Sequence, residues 1–242
     1  MKIVFAHMCR IVAAGVFFSG LGLLSLTQPA HAVSEAISIL EQTIQTVLAE
    51  KARHSSDPVI LVRLADLYLD LGDEHTDATE RRAAYEEGAE FARQALAIQE
   101  RNAQAHYLYA ANLGSAAQLK GAMASALTIT ELKTHVRRAL ELKQDYPPAL
   151  HMMGMMLEEL PWFLGGDAAG ALTYLQRATV TDPSYVRARL DLARAYVKRQ
   201  ALDAARRELG SILEKPPSSM ASDSNRRYRE EAATLLGSLS SR

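Results

Sequence analysis

The chain has 242 residues, 27 basic and 28 acidic side chains, a net charge of −1 and one cysteine. A near-neutral balance excludes the strongly basic face of a nucleic-acid binder. A lone cysteine excludes an internal disulfide, so the fold must rest on its apolar residues, 48% of the total.

Residues 1–32 read as a cleavable signal peptide. Lys2 and Arg10 form a positive start, and residues 11–26 are apolar. That run is shorter than the roughly 20 residues a membrane span needs. Thr27-Gln28-Pro29 breaks it, and Ala30-His31-Ala32 supplies the small-x-small cleavage signal before Val33. Cys9 precedes the apolar run, so it is not placed as a lipid attachment point. The expectation is an exported protein, soluble in the periplasm of a Gram-negative bacterium. Cleavage would remove two cations, leaving 25 basic against 28 acidic residues, a net of −3.

Residues 33–57 read as an N-terminal helix and linker. Ile37, Leu40, Ile44, Val47 and Leu48 recur at three- and four-residue steps, with Ser34 as the expected N-cap. Four helical hairpins follow, over 58–100, 101–147, 148–183 and 184–217. The last is the most regular. Between Pro183 and Pro217, 34 residues apart, stand Leu192, Ala193, Tyr196, Ala205, Leu209 and Ile212. These are the large, small and aromatic positions of a tetratricopeptide repeat, and the period marks an all-α solenoid. Small residues recur at the eighth position of each first helix: Ala65, Ala110, Gly154 and Ala193. Against this unit the first three repeats carry about eleven, nine and five extra residues between their two helices. These are expected as lengthened loops along one edge, the first also extending the start of its second helix. Residues 218–242 read as a linker and a charged capping helix, with Ala232, Ala233, Leu235 and Leu236 on one side.

No metal-binding histidine spacing, phosphate loop or nucleophile elbow is present. The chain therefore reads as a non-enzymatic binding protein without cofactor or metal. His151, Met152 and Met155 share a helix face that could ligate soft copper, but methionines commonly fill cores or line grooves, and that reading is preferred. The loop Pro161, Trp162, Phe163, Leu164, Gly165 and Gly166 holds large apolar side chains. They either pack under a neighbouring repeat or meet a partner. Asp167 is placed to cap the next helix. First helices line the concave face of such a solenoid. The inward positions are Arg63 and Asp66, Tyr107 and Leu108, His151, Met152 and Met155, then Arg187, Asp191, Arg194 and Lys198. The last cations either hold a carboxylate or acidic peptide end, or form a solvated face partly neutralised by Asp191.

Four strings together resemble a known family: "AANLGSAAQLKG" from Ala110, "VRRALELKQDYPPALHMMG" from Val136, "LEELPWFLGGDAAGALTYLQRA" from Leu157 and "DPSYVRARLDLARAYVKR" from Asp182. The chain resembles the TPR proteins related to the T component of periplasmic TRAP transporters. The same layout is similar to the TPR domain of eukaryotic regulators of microtubule dynamics. The resemblance implies a helical protein of the periplasm or outer membrane that binds a protein or peptide through its groove and insertion loops. The alternative it implies is an accessory subunit that holds a small apolar or carboxylate solute and partners a solute-binding protein. Homo-oligomerisation is left open. T components are typically lipoproteins, and this chain lacks a cysteine after its apolar run.

Overall fold

The computed structural model describes residues 28–53, 57–214 and 223–240. The leader expected over 1–32 lies almost wholly outside the described residues, as does the linker expected after residue 217. Ten α-helices make up the described fold. They are α1 (Gln28–Arg53), α2 (Pro58–Glu74), α3 (Ala78–Ile98), α4 (Ala103–Lys120) and α5 (Ala122–Leu142). Then come α6 (Pro147–Glu159), a 3-10 turn (Trp162–Leu164), α7 (Ala168–Thr181), α8 (Val186–Lys198), α9 (Leu202–Glu214) and α10 (Asp223–Ser240).

Local chemistry explains most boundaries. Asp57 accepts the Val59 amide and Pro58 opens α2. Asp77 accepts the Thr79 and Glu80 amides ahead of α3. Asn102 accepts the Ala105 amide, and Asp167 accepts those of Ala169 and Gly170. Each cap satisfies amides that have no partner inside the helix. Ser34 is not an N-cap: α1 begins six residues earlier, at Gln28. Ala30 and Ala32 are strong helix formers and carry the helix upstream.

Helices α2–α3, α4–α5, α6–α7 and α8–α9 pack as hairpins. The first helices, α2, α4, α6 and α8, touch one another in series, whereas the second helices form an outer layer. Close approach within each hairpin depends on the small positions, and Ala65, Ala110, Gly154 and Ala193 are all buried. A Cβ on Gly154 would stand 2.8 Å from Leu175 Cγ and 3.2 Å from the Ala171 oxygen. Between the first two repeats, buried Asn112 donates to the Ala65 and Leu108 carbonyls at 3.0 Å each. It ties α2 to α4, an anchor the repeat pattern does not announce.

The eleven- and nine-residue insertions are mostly not loops. Only residues 75–77 separate α2 from α3, and Gly121 alone separates α4 from α5. The extra residues lengthen the helices. No proline or glycine lies between Asp73 and Glu80, so only the short turn at 75–77, closed by the Asp77 cap, interrupts the helical hydrogen bonding. In the second insertion the sole interruption is Gly121, whose φ of 105° admits a sharp joint. The third insertion is a loop because Pro161 cannot continue α6.

The C-terminal helix does more than cap. It packs on α8 and α9, and it also reaches α1 and α2. Arg227 donates to the Asp73 carbonyl at 3.2 Å. The two ends of the solenoid therefore meet across its concave side.

Candidate binding groove

The first-helix layer and α10 enclose a groove lined by tyrosines. Tyr107 projects from α4, Tyr146 and Tyr185 sit immediately before α6 and α8, and Tyr228 comes from α10. Tyr107 meets Tyr146 edge-on with ring centres 5.5 Å apart. Burial raises the hydroxyl pKa of all four, to about 12 for Tyr185. At neutral pH they are therefore protonated donors. Arg187 lies among them, its guanidinium 5.8 Å from the centre of the Tyr228 ring. Burial works against its charge, but Tyr228, Tyr185, Asp73 and Asp191 outweigh that effect and raise its pKa. Among the described residues Arg187 forms no salt bridge, and it remains open to solvent in the groove. That combination is a cation available to a ligand.

The opposite wall is acidic. Asp66 and Asp70 on α2 face the groove, solvent-accessible but recessed between protein walls. Burial raises the Asp66 pKa. Burial, followed by the charges of Asp66, Asp73 and Glu74, pushes Asp70 up to about 7. The groove is thus polarised, with carboxylates on α2 and Arg187 on α8.

The other predicted inward residues have different fates. Arg63 is exposed and pairs with Glu50 of α1 at 3.6 Å. Leu108 is fully buried in the core. His151 is buried. Its Nε2 donates to Asp191 Oδ2 at 2.9 Å, and Tyr185 Oη lies 3.2 Å from Nδ1. A carboxylate can only accept, so Nε2 carries the proton of that bond. Burial opposes ionisation of Asp191, but the bond from His151 and the charges of His151, Arg194 and Arg187 hold its carboxyl at about 2. Met152 packs against the Ala110, Val136 and Met153 cluster, and Met155 against Leu175, Leu192 and Ala195. Among the described residues, no group of three His, Cys, Asp or Glu side chains is placed to hold a metal ion.

The expected cationic trio does not act as a unit. Arg194 pairs with Asp191 at 2.8 Å and with Glu231 of α10. Lys198 pairs with Glu159 at 2.7 Å and Glu158 at 3.4 Å. Only Arg187 stays available. Sequence spacing placed all three on one helix but did not show the acids brought by α6 and α10.

The insertion loop is set apart from the groove. Trp162 and Phe163 are 84% and 67% exposed, so neither packs under a neighbouring repeat. Gly165 adopts the left-handed conformation (φ 83°), and a Cβ on Gly166 would collide with the Leu160 carbonyl. Sequence reading missed Tyr146, Tyr185, Tyr228, Asp70 and Asp73. One signal was available: "DYPPA" and "PSYVR" place a tyrosine at the mouth of two successive first helices.

A tetratricopeptide-repeat profile matches residues 163–222, and the family described as regulator of microtubule dynamics protein 1-3 matches residues 29–159. The chain belongs to the regulator of microtubule dynamics family. The match covers over half of the chain and ends where α6 ends. A curated relative, regulator of microtubule dynamics protein 3 of Bos taurus, is 26% identical over 209 residues. That alignment takes in 80% of this chain but only 44% of the bovine protein. Among solved structures, a thermophilic TPR protein of Thermus thermophilus is similar with a TM-score of 0.61 and 16% identity. It covers 84% of this chain and 100% of its own. That likeness shows a TPR solenoid fold for this family member.

Proposed function

We propose that this regulator-family TPR protein is a non-enzymatic adaptor that holds an extended peptide segment of a partner in its groove. The observation that carries the reading is Arg187, a solvent-open cation ringed by protonated tyrosines and without a carboxylate partner. A ligand carboxylate would accept from the guanidinium and from tyrosine hydroxyls together. The acidic wall of Asp66 and Asp70 suits a basic side chain further along the same segment. TPR scaffolds act mainly through such surfaces.

A second reading is supported by α10, which narrows access by reaching from α8 to α2. A small carboxylate solute would pass where a folded partner domain would not. This is the accessory-subunit reading, with a solute-binding protein as partner and an exported location. The leader-like residues 1–32 support that location.

The test is fluorescence anisotropy with a peptide library in free-acid and amidated forms. Free-acid peptides should bind more tightly, and Arg187→Gln should remove the preference while the melting temperature holds. Equal binding of both forms by the wild-type protein would reject Arg187 as the anchor. Capture of small carboxylates with no peptide binding would favour the second reading. N-terminal sequencing of the protein from a periplasmic extract tests cleavage at Val33.

A further inference from the structure

We propose that the Trp162 loop is a docking knob for an anionic lipid surface. Nine large apolar side chains stand exposed among the described residues, and five of them lie on this loop or on the adjoining helix α5. They are Trp162, Phe163 and Leu164, with Met123 and Leu127, both more than three-quarters exposed. Trp162, the only tryptophan of the chain, is the most exposed of the nine.

The exposure is built rather than accidental. Pro161 ends α6, and the Gly165 amide donates to the Trp162 carbonyl at 2.9 Å. Gly166 donates to the Pro161 carbonyl at 3.0 Å, and Asp167 to that of Leu157 at 2.9 Å. Lys133 of α5 clamps the far side, donating to the carbonyls of Leu164 at 2.9 Å and Gly165 at 3.3 Å. A backbone held at both ends keeps the two aromatic rings, packed edge-to-face at 5.9 Å, pointing outward.

Charge selects the surface. Phe163 and Leu164 share a recess with Ala126, Ile129, Lys133 and Arg137 of α5, and no carboxylate lines it. Among the described residues neither Lys133 nor Arg137 forms a salt bridge. An apolar, protruding tip flanked by unneutralised cations suits a flat anionic interface. Tryptophan settles at headgroup depth, apolar neighbours enter the acyl boundary, and each nearby cation adds roughly fivefold to binding. This surface is separate from the groove, so the two readings stand or fall independently.

The experiment uses the full chain with phosphatidylglycerol vesicles and with phosphatidylcholine vesicles. As the sole tryptophan, Trp162 reports its own surroundings. The expected result is a blue-shifted emission, quenched by brominated lipid, on the anionic vesicles alone and reversed by high salt. In co-sedimentation, Arg137→Glu should weaken partition about fivefold or more. Phe163→Ser should also weaken it, with the melting temperature unchanged for both variants. Emission unmoved by anionic lipid would overturn the proposal, even if the chain sediments with vesicles through residues 11–26. Equal partition onto neutral vesicles would overturn it. So would a blue shift that follows protein concentration without lipid, which would assign the knob to a second copy of the chain.

Discussion

The first two repeats and the last two solve the same packing problem with different helix lengths. Helices α2 to α5 have 17, 21, 18 and 21 residues, whereas α6 to α9 have 13, 14, 13 and 13. Both halves use a buried small residue where each hairpin closes. They differ in what happens beyond it. In the long half the added residues stay helical and extend the hairpins outward; in the short half the addition at Pro161 becomes an aromatic loop. An insertion without proline lengthens a helix, and one that begins with proline makes a new surface.

Their buried polar links differ too. The long half joins α4 to α5 through His106 and His135, with their Nδ1 atoms 2.9 Å apart. The short half joins α6 to α8 through His151 and Asp191. The first pair is neutral and acid-sensitive; the second depends on a carboxylate and is acid-tolerant.

The largest expected effect breaks the short half at its closest contact. Gly154→Leu forces a side chain against Leu175 and the Ala171 backbone, and should cost about 3 kcal/mol or more. Chemical denaturation measures it, and an unchanged midpoint would refute the assigned packing. Next, Asp191→Asn removes the charge that His151 and Arg194 share, a loss of about 2 kcal/mol at neutral pH. The wild-type carboxyl is held at about 2, below its unfolded value near 3.9. Its stabilisation is therefore complete above about pH 4 and lost as pH falls towards 2. The variant should lack that acid limb, as thermal melts across this range would reveal.

In the long half, Gly121→Ala should cost about 1–2 kcal/mol. No neighbour crowds the site, so the cost comes from φ alone. A neutral result would mean that the joint between α4 and α5 relaxes freely. The smallest effect concerns the histidine pair. Burial lowers the pKa of both His106 and His135, and mutual repulsion lowers that of His135 further. The charges that face them are Glu100, Arg138 and Glu131. Their contribution is intact above about pH 6.5 and falls away as pH drops through their lowered values. Amide exchange of α4 and α5 should therefore quicken with mild acid before that of α6 and α8. Simultaneous loss would show that the halves do not differ in this way.

Periodicity made the helical hairpins legible, because a helix must bury one stripe and that stripe recurs in the residue order. The small positions were readable for the same reason. The groove was only partly readable. Tyr107, Asp66 and Arg187 follow from the repeat register. Tyr228 does not, because it arrives on a helix whose placement no repeat rule specifies. Met152 and Met155 shared a helix face with His151, yet adjoining hairpins cover that face and turn it into core.

By itself, then, the sequence determined the solenoid, its unit and its helix pairing, since these are local and depend on side chains three and four residues apart. Only the tertiary structure decided which cations stay available. Arg194 and Lys198 are neutralised by Glu231 and by Glu158 and Glu159, more than thirty residues away in the chain. It also decided that α10 narrows the groove and that Trp162 faces outward. Each outcome depends on how distant surfaces meet, and spacing along the chain carries no record of that.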